Sequence, residues 1–222
     1  MKRTFLSFAA ASLLLASCQD APKADTATAT DAQAVTETAP AAATYKADIA
    51  QTKVEFVGTK PTGKHHGTIG VQEGNLAVEN NMIKGGKFVL DMKTMKTDDQ
   101  DSTGNAKLTG HLSSPDFFDI AKFNTATFDI TGVAAGVDSS LAKDLVMKDA
   151  THTITGNLTL KGVSKSITIP AKVNMNDATI TADANFNIDR TQWGLVYGAD
   201  KSIRDKFIDP IVNISLHLVA NK

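Results

Sequence analysis

The sequence predicts an all-β domain over residues 45–222, an antiparallel barrel or sandwich of about eight strands. Apolar residues recur at every second position through most of this range, which is the period of a strand with one buried face. The connections between these segments are short and contain Gly or Asn, as tight turns do. No long segment has the period of a helix, so helices should contribute little to the fold.

The alternation occurs in eight segments along the chain. In order they are KVEFVG, TIGVQEGNLAV, MIKGGKFVLDM, KFNTATFDITGV, HTITGNLTL, KSITIPAKV, ATITADANFNI and IVNISLHLV. In ATITADANFNI one face combines the small Ala182 and Ala184 with the large Phe186 and Ile188. A barrel of about eight strands can hold side chains or one small ligand, so we expect a partly open interior.

One break in the strand pattern predicts a short helix. Residues 99–114, DQDSTGNAKLTGHLSS, have helical spacing for about two turns, and Pro115 should end the helix. The aromatic stretch GHLSSPDFFDIAKFNTATF overlaps its end and contains four of the ten Phe residues of the chain. We expect the helix to cap one mouth of the barrel and the next turn to point Phe117 and Phe118 inwards, as lid and plug.

The N-terminus is similar to a bacterial lipoprotein signal peptide. Lys2 and Arg3 precede an apolar run, and LASC ends at Cys18, the single cysteine of the chain. The predicted signal peptide spans residues 1–17, with cleavage before Cys18 and acylation of its thiol and new amino group. A plain secretory signal is the alternative. Gln19 follows Cys18, where Asp would be expected for retention in the inner membrane, so the location favoured is the cell envelope at the outer membrane.

Residues 18–44 are predicted to be the lipidated cysteine and a disordered tether. After Gln19 the segment is almost entirely Ala, Thr, Asp, Glu, Gln and Pro, without an aromatic residue or a leucine. Such a composition cannot offset the entropy lost on ordering. A flexible coil of this length would hold the domain roughly 25–30 Å from its anchor.

Charge and motifs argue against several functions. The formal charges within residues 45–222 cancel and form no basic run, so nucleic-acid binding has no electrostatic support. The sequence contains no G-x-S-x-G elbow, no phosphate-binding glycine loop and no HExxH motif. We therefore predict a binding protein and not an enzyme, without a covalent cofactor.

Three long motifs in order carry a family resemblance. GHLSSPDFFDIAKFNTATF, HTITGNLTLKGVSKSITIPAKV and FNIDRTQWGLVYG resemble conserved stretches of the YceI-like family. The resemblance implies a lipocalin-like, eight-stranded antiparallel β-barrel with a short helix near one mouth, whose interior binds a polyisoprenoid or quinone-like chain in the periplasm. The loop GTKPTGKHHGTIG is similar to a lipoprotein variant with a KPTG-x-H-x-G pattern, so the resemblance does not identify the ligand.

The predicted ligand-binding residues combine the inward strand faces with the aromatic stretch. Each also has a structural interpretation: the Phe residues and Trp193 can be core, and Arg190 can form a bridge with Asp189 that fixes a turn instead of clamping a ligand oxygen. The candidates are Phe56, Leu112, Phe117, Phe118, Phe128, Phe186, Ile188, Arg190 and Trp193.

The histidines raise the question of a metal or haem site, because imidazole is a common metal ligand. His65 and His66 diverge if they lie on a strand, and His217 should face outwards between Leu216 and Leu218. We predict no metal site; if one exists, His66 and His111 are the candidate ligands. The alternative for His111 is a residue that bonds the C-terminal carbonyls of the helix.

The function predicted from these features is binding of an extended apolar ligand, as a carrier or a sequestering protein. Burial of a long chain at about 0.8 kcal/mol per methylene would supply the affinity. Two alternatives remain open: a redox or stress accessory that carries quinone, haem or metal, and a filled barrel that acts as a surface interaction module. A homodimer that covers an apolar mouth is also open.

Overall fold

The computed structural model describes residues 20–35, 43–203 and 206–222 of the 222-residue chain. The predicted signal peptide and Cys18 lie outside these ranges. Within them, no helix combines the length and the apolar character needed to cross a bilayer.

The described residues form strands with three short helical segments. The helices are α1 (Ser102–Ser113), α2 (Ser139–Ala142) and a 3-10 helix (Arg190–Trp193). The strands are β1 (Asp25–Thr26), β2 (Thr30–Asp31), β3 (Ala43–Ala47), β4 (Lys53–Lys60), β5 (Gly63–Glu79), β6 (Met82–Thr97), β7 (Thr125–Ala135), β8 (His152–Leu160), β9 (Val163–Met175), β10 (Thr179–Asp189) and β11 (Ile211–Asn221).

Strands β4 to β11 close into an antiparallel barrel. Each strand pairs with the next, and β11 pairs with β4, for example Ile214 with Phe56. These are eight strands, so the predicted fold class is confirmed for the described part of the chain. The residues that the alternation places on one face do line the interior of the barrel. Ala182 and Ala184 of β10 pair with Leu218 and Leu216 of β11, and all four face the interior.

A glycine makes room for a large ring in this interior. An ideal Cβ built on Gly156 of β8 would lie 2.5 Å from Cζ of Phe128 on β7, closer than any real contact. The missing side chain therefore allows the Phe128 ring to lie across the neighbouring strand. Ring and glycine are adjacent because Phe128 pairs with Leu158, two residues along β8.

Helix α1 is confirmed and begins at a cap. The Asp101 carboxylate accepts the backbone N–H of Gly104 at 2.7 Å, which satisfies one free donor of the first turn. The helix ends at Ser113, before Pro115, as predicted. It packs on the end of β6, where Thr97 Oγ1 donates to the carbonyl of Asn105 at 3.2 Å. This end of the barrel is called the helix side below.

The prediction of a disordered tether is wrong for residues 20–35. Strands β9 and β10 pair with each other only over Lys172–Met175 and Ile180–Asp183. Beyond that point β1 pairs in parallel with β10, and β2 pairs antiparallel with β9. The segment therefore fills the seam where two barrel strands separate.

Backbone pairing explains why a segment without large apolar residues is ordered. The separated edges of β9 and β10 present unpaired N–H and C=O groups that any extended chain can satisfy. Ala27 is buried in the core, while Thr26 and Thr28 are exposed. The buried Asp25 carboxylate accepts the N–H groups of Val146 at 2.7 Å and of Met147 at 2.9 Å.

Candidate functional site

Two adjoining cavities lie inside the described barrel. One, the helix-side cavity, has a volume of about 300 Å³ and reaches the residues of α1. The other, the distal cavity, has about 120 Å³ and lies towards the opposite end. Both touch the same ring of side chains, so they follow one another along the barrel. The shared residues are Val54, Leu90, Leu158, Phe186 and Ile214.

The distal cavity has an apolar wall. Strand residues form almost all of it, including Leu76, Ile83 and Phe88, and the polar members are Thr52 and Thr127. Thr52 Oγ1 is satisfied by the backbone of Val219, whose carbonyl accepts from it at 3.2 Å. A ligand here would therefore meet hydrocarbon surface.

The helix-side cavity has a wall of apolar strand residues and a cover made by α1, the following turn and the described residues after the 3-10 helix, 195–203 and 206–209. The cover includes Leu108, Leu195 and Ile208. Several ionisable side chains also touch this cavity: Lys60, His65, His111, Arg190 and Asp209.

Most of the predicted ligand-binding residues come together here. Phe56, Leu112, Phe117, Phe118, Ile188 and Arg190 line the helix-side cavity, Phe128 lines the distal cavity, and Phe186 lines both.

Trp193 is the exception. Its side chain is 0% exposed, packs in the main core and touches neither cavity, and its Nε1 donates to the carbonyl of Leu158 at 2.9 Å. The structure thus places Trp193 in the core and not at the entrance. Trp193 lies on the 3-10 helix that follows β10, so the alternation of the strand does not predict where its ring packs.

The two adjacent phenylalanines have different environments. Phe117 is 4% exposed and packs edge-to-face on His111 at a centroid distance of 5.2 Å, and at 5.4 Å from the Tyr197 ring. Phe118 is half-buried and packs on the cluster of Met92 and Met95. Phe117 therefore joins α1 to the segment that contains Tyr197. Phe118 forms part of the cavity wall beside the strands.

Arg190 and Asp189 do not bridge to each other. The Arg190 guanidinium donates to the carbonyls of Leu195, of Ile208 at 2.8 Å and of Asp209 at 3.2 Å. Asp189 instead accepts from Thr191 at the start of the 3-10 helix. Burial lowers the pKa of Arg190, and the charges of Asp189 and Asp209 oppose the shift. Arg190 fixes the loop that covers the cavity and lies 5.6 Å from the centre of the Phe117 ring.

The paired histidines diverge as predicted, but the inner one is His65. His65 touches the helix-side cavity, and its Nδ1 lies 2.8 Å from Asp99 Oδ2. His66 lines neither cavity and pairs with Asp98 at 2.6 Å. The register could have revealed this, because the inward Phe56 pairs with Gly67, two residues from His65. Burial raises the pKa of Asp99, but hydrogen bonds from the His65 ring and the His66 N–H, with the His65 charge, outweigh it and leave the pKa below 3.8.

His217 fits its structural interpretation, whereas the ring of His111 lies 3.6 Å from the carboxylate of Asp116 and does not bond the C-terminal carbonyls of the helix. His217 faces outwards and pairs with Asp183 at 2.6 Å. His111 lines the helix-side cavity, between the rings of Phe117 and Tyr197. The described residues contain no group of three His, Cys, Asp or Glu side chains placed to hold a metal ion, and His66 and His111 do not line a common site.

Comparison with known proteins identifies the family. Residues 45–220 match the model of the YceI-like domain. A UPF0312 protein of Pseudomonas aeruginosa is 39% identical over 97 residues, and one of Azotobacter vinelandii is 33% identical over 107 residues. These matches cover 40% and 48% of this chain, and the chain spans 44% and 48% of the length of these relatives.

Two solved structures share the fold at low sequence identity. Burkholderia cenocepacia BcnA has a TM-score of 0.57 at 21% identity, covering 78% of this chain and 98% of that protein. A polyisoprenoid binding domain from Saccharophagus degradans, implicated in plant cell wall breakdown, has a TM-score of 0.55 at 16% identity, covering 80% of this chain and 97% of that domain. With the closed eight-stranded barrel and the family match over residues 45–220, the chain belongs to the YceI-like family.

Proposed function

We propose that this chain is a cell-envelope lipoprotein whose barrel binds an extended apolar ligand, isoprenoid or quinone-like, as a carrier or a sequestering protein. The observation that carries the proposal is the line of two adjoining cavities with mostly apolar walls. A solved structure of the same fold is described as a polyisoprenoid binding domain, which supports the same ligand class here.

The size and chemistry of the interior suit a chain-like ligand. The helix-side cavity, at about 300 Å³, falls at the lower end of the range of about 300–1,000 Å³ for ligand pockets, and the distal cavity extends it. Each buried methylene contributes about 0.8 kcal/mol, so a long tail supplies affinity without polar contacts in the distal part. No bond-breaking step is assigned to the barrel.

The envelope location rests on the sequence around Cys18, with acylation as the membrane anchor. The docked residues 20–35 shorten the reach of that anchor, because Pro22 already accepts a hydrogen bond from Asn187 Nδ2 at 2.9 Å. Three residues lie between Cys18 and Pro22, so the two are at most about 14 Å apart. Asn187 lies on β10, close to the helix side, so the anchor would hold this end of the barrel near the bilayer.

Native mass spectrometry tests the proposal. The full chain, expressed with its own leader in a bacterial host and purified from the envelope, should carry an adduct that organic extraction identifies as an isoprenoid or quinone. Phe118→Asp should lose this adduct, because it places a charge in the apolar wall. Phe123→Asp is the matched control, since Phe123 lies in the same stretch but lines neither cavity.

A ligand-free mass, together with no binding of added isoprenoids, would contradict the proposal and favour a filled barrel that acts as an interaction module. Retention of the adduct by folded Phe118→Asp would contradict the assignment of the wall. Visible absorbance of the purified protein would indicate the redox alternative.

A further inference from the structure

The exposed large apolar side chains of the described residues concentrate at one place on the surface. Val196 is 62% exposed, Ile203 is 51% exposed and Tyr197 is 39% exposed, and the three lie within one short segment that follows the 3-10 helix. Elsewhere in the described ranges such residues occur singly, in separate segments: Val35, Ile49, Met82 and Val163. Single exposed apolar residues are normal, whereas a group of them indicates a surface that contacts something apolar. Val196, Tyr197 and Ile203 are called the exposed tip below.

Backbone contacts hold the segment that carries the exposed tip. The N–H of Ala199 donates to the carbonyl of Val196 at 3.1 Å, which closes a turn. The N–H of Ile208 donates to the carbonyl of Gly198 at 2.8 Å and ties the segment to the chain that returns beside it. Gly198 has a φ of +65°, and a Cβ built on it would lie 2.7 Å from the carbonyl oxygen of Lys206, so this crossing requires glycine. The fold therefore presents these apolar side chains at a fixed place.

The exposed tip adjoins the cover of the helix-side cavity. The ring of Tyr197 lies 4.8 Å from the ring of His111 and 5.4 Å from the ring of Phe117, centroid to centroid, and both of these residues line that cavity. Val196 and Ile203 line neither cavity. A ligand inside the barrel therefore does not account for their apolar surface, which requires a partner outside it.

The predicted lipid anchor lies at the same end of the barrel. Pro22 accepts a hydrogen bond from Asn187, which is two residues from the end of β10, and the 3-10 helix that follows β10 leads to the exposed tip. Cys18 is at most about 14 Å from Pro22. Acyl chains on this cysteine would insert into a bilayer, so the end of the barrel beside them faces lipid. The partner at that place is a membrane surface.

We propose that the exposed tip is a membrane-docking surface, with Val196 and Ile203 inserted at the edge of the lipid hydrocarbon and Tyr197 at the level of the head groups. Tyrosine is common at this level because its ring is apolar and its hydroxyl is polar. Lys201 and Lys206 are exposed beside the tip and suit the phosphates of the lipid head groups. This inference rests on the lipid anchor of the proposed function and adds the orientation of the barrel, with the helix side against the membrane.

A spin label on the exposed tip tests the docking. Acylation occupies the thiol of Cys18, the single cysteine of the chain, so Val196→Cys in the full chain adds the only thiol that takes the label. The labelled protein is purified from the envelope and reconstituted into vesicles of phosphatidylethanolamine and phosphatidylglycerol. Oxygen, which dissolves in hydrocarbon, then relaxes a label that lies in lipid, whereas a water-soluble nickel complex relaxes one that lies in water.

Ile49→Cys is the matched control for the label. Ile49 is 57% exposed and lies in the turn between β3 and β4, beside the end of β11 that is far from the helix side. The ratio of oxygen to nickel relaxation should be several-fold higher for Val196→Cys than for Ile49→Cys. Ile203→Asp, added to Val196→Cys, should lower this ratio towards the control value, because a carboxylate resists entry into lipid. Met82→Asp, at the exposed turn between β5 and β6, should leave it unchanged.

Two outcomes would overturn the docking surface. One is a label at Val196→Cys that stays as accessible to the nickel complex as the label at Ile49→Cys, although Cys18 is acylated. The other is spin–spin broadening of that label, which would mean that a second copy of the chain covers the exposed tip. An intact mass without acyl chains on Cys18 would instead overturn the anchor of the proposed function.

Discussion

The two cavities of the barrel are built from different parts of the chain. The wall of the distal cavity comes almost entirely from strands and contains no ionisable side chain. The helix-side cavity is completed by α1, the aromatic turn, the 3-10 helix and the residues Leu195, Ile208 and Asp209. The strands supply apolar surface by alternation, and the ionisable groups lie near the strand ends, as Lys60 and His65 do, or in the segments that close this end, as Arg190 does. A ligand with one apolar end and one polar end matches this division.

The largest expected effect concerns the cover of the helix-side cavity. Phe117→Ala removes a nearly fully buried ring that joins His111, Tyr197 and Arg190. Truncation of a buried Phe costs about 3–5 kcal/mol, and urea unfolding of the full chain would measure the loss. Phe118→Ala should cost clearly less, because its ring is half-buried. Equal losses would mean that the two rings play the same part in the cover.

The second prediction concerns the length of the tail. Ala184→Phe fills the distal cavity from β10 and leaves the helix-side cavity untouched. Loss of room for about four methylenes should weaken a long-tailed isoprenoid by about 200-fold, while a short-tailed analogue binds as before. Ala135→Phe, at the exposed end of β7, is the control. A long tail that binds Ala184→Phe normally would show that the distal cavity is not used.

The third prediction concerns the seam between β9 and β10. At this seam Asp25 pairs with Phe186, a residue that lines both cavities. Asp25→Ala removes a buried carboxylate and leaves the N–H groups of Val146 and Met147 without their acceptor. Hydrogen bonds to a charged group contribute about 1.5–3 kcal/mol, so the free energy of unfolding should fall by about this amount. Asp31→Ala, whose fully exposed carboxylate pairs with Lys165, should leave it unchanged within error. An unaffected Asp25→Ala would show that residues 20–35 do not support the barrel.

The same division explains what the sequence could predict. Alternation specifies a strand face locally, so the barrel, Phe128, Phe186 and Ile188 followed from the pattern. Docking of residues 20–35 did not follow, because it depends on a seam between β9 and β10 that exists only in the closed barrel. The sequence left core and cavity wall open for Trp193, because this residue lies on a 3-10 helix outside the strand period.

The polar residues of the site were hidden for a related reason. The carbonyls that Arg190 bonds lie 5, 18 and 19 residues further along the chain, outside any strand, and no periodic pattern predicts them. His65 and not His66 faces the interior because of the register of β4 on β5, which a hairpin alignment on Phe56 would have predicted.

The smallest expected effect is a pH dependence confined to the helix side, where Asp99 holds His65 at 2.8 Å. Because the pKa of Asp99 is lower in the folded protein than its ordinary value of 3.8, its contribution is present above that pH and is lost as the pH falls through the lower, folded value. Asp99→Asn should thus lower the stability by about 1 kcal/mol at pH 7, and the difference from the unmodified protein should vanish in acid.

Urea unfolding between pH 7 and pH 2 measures this difference, with Asp98→Asn at the exposed His66 pair as the control. Binding of a hydrocarbon probe that needs only the distal wall should not change over the same range while the protein stays folded, since no ionisable side chain touches that cavity. If Asp99→Asn keeps its full deficit in acid, the carboxylate acts through its shape alone. The charge at the helix side then plays no part in holding His65.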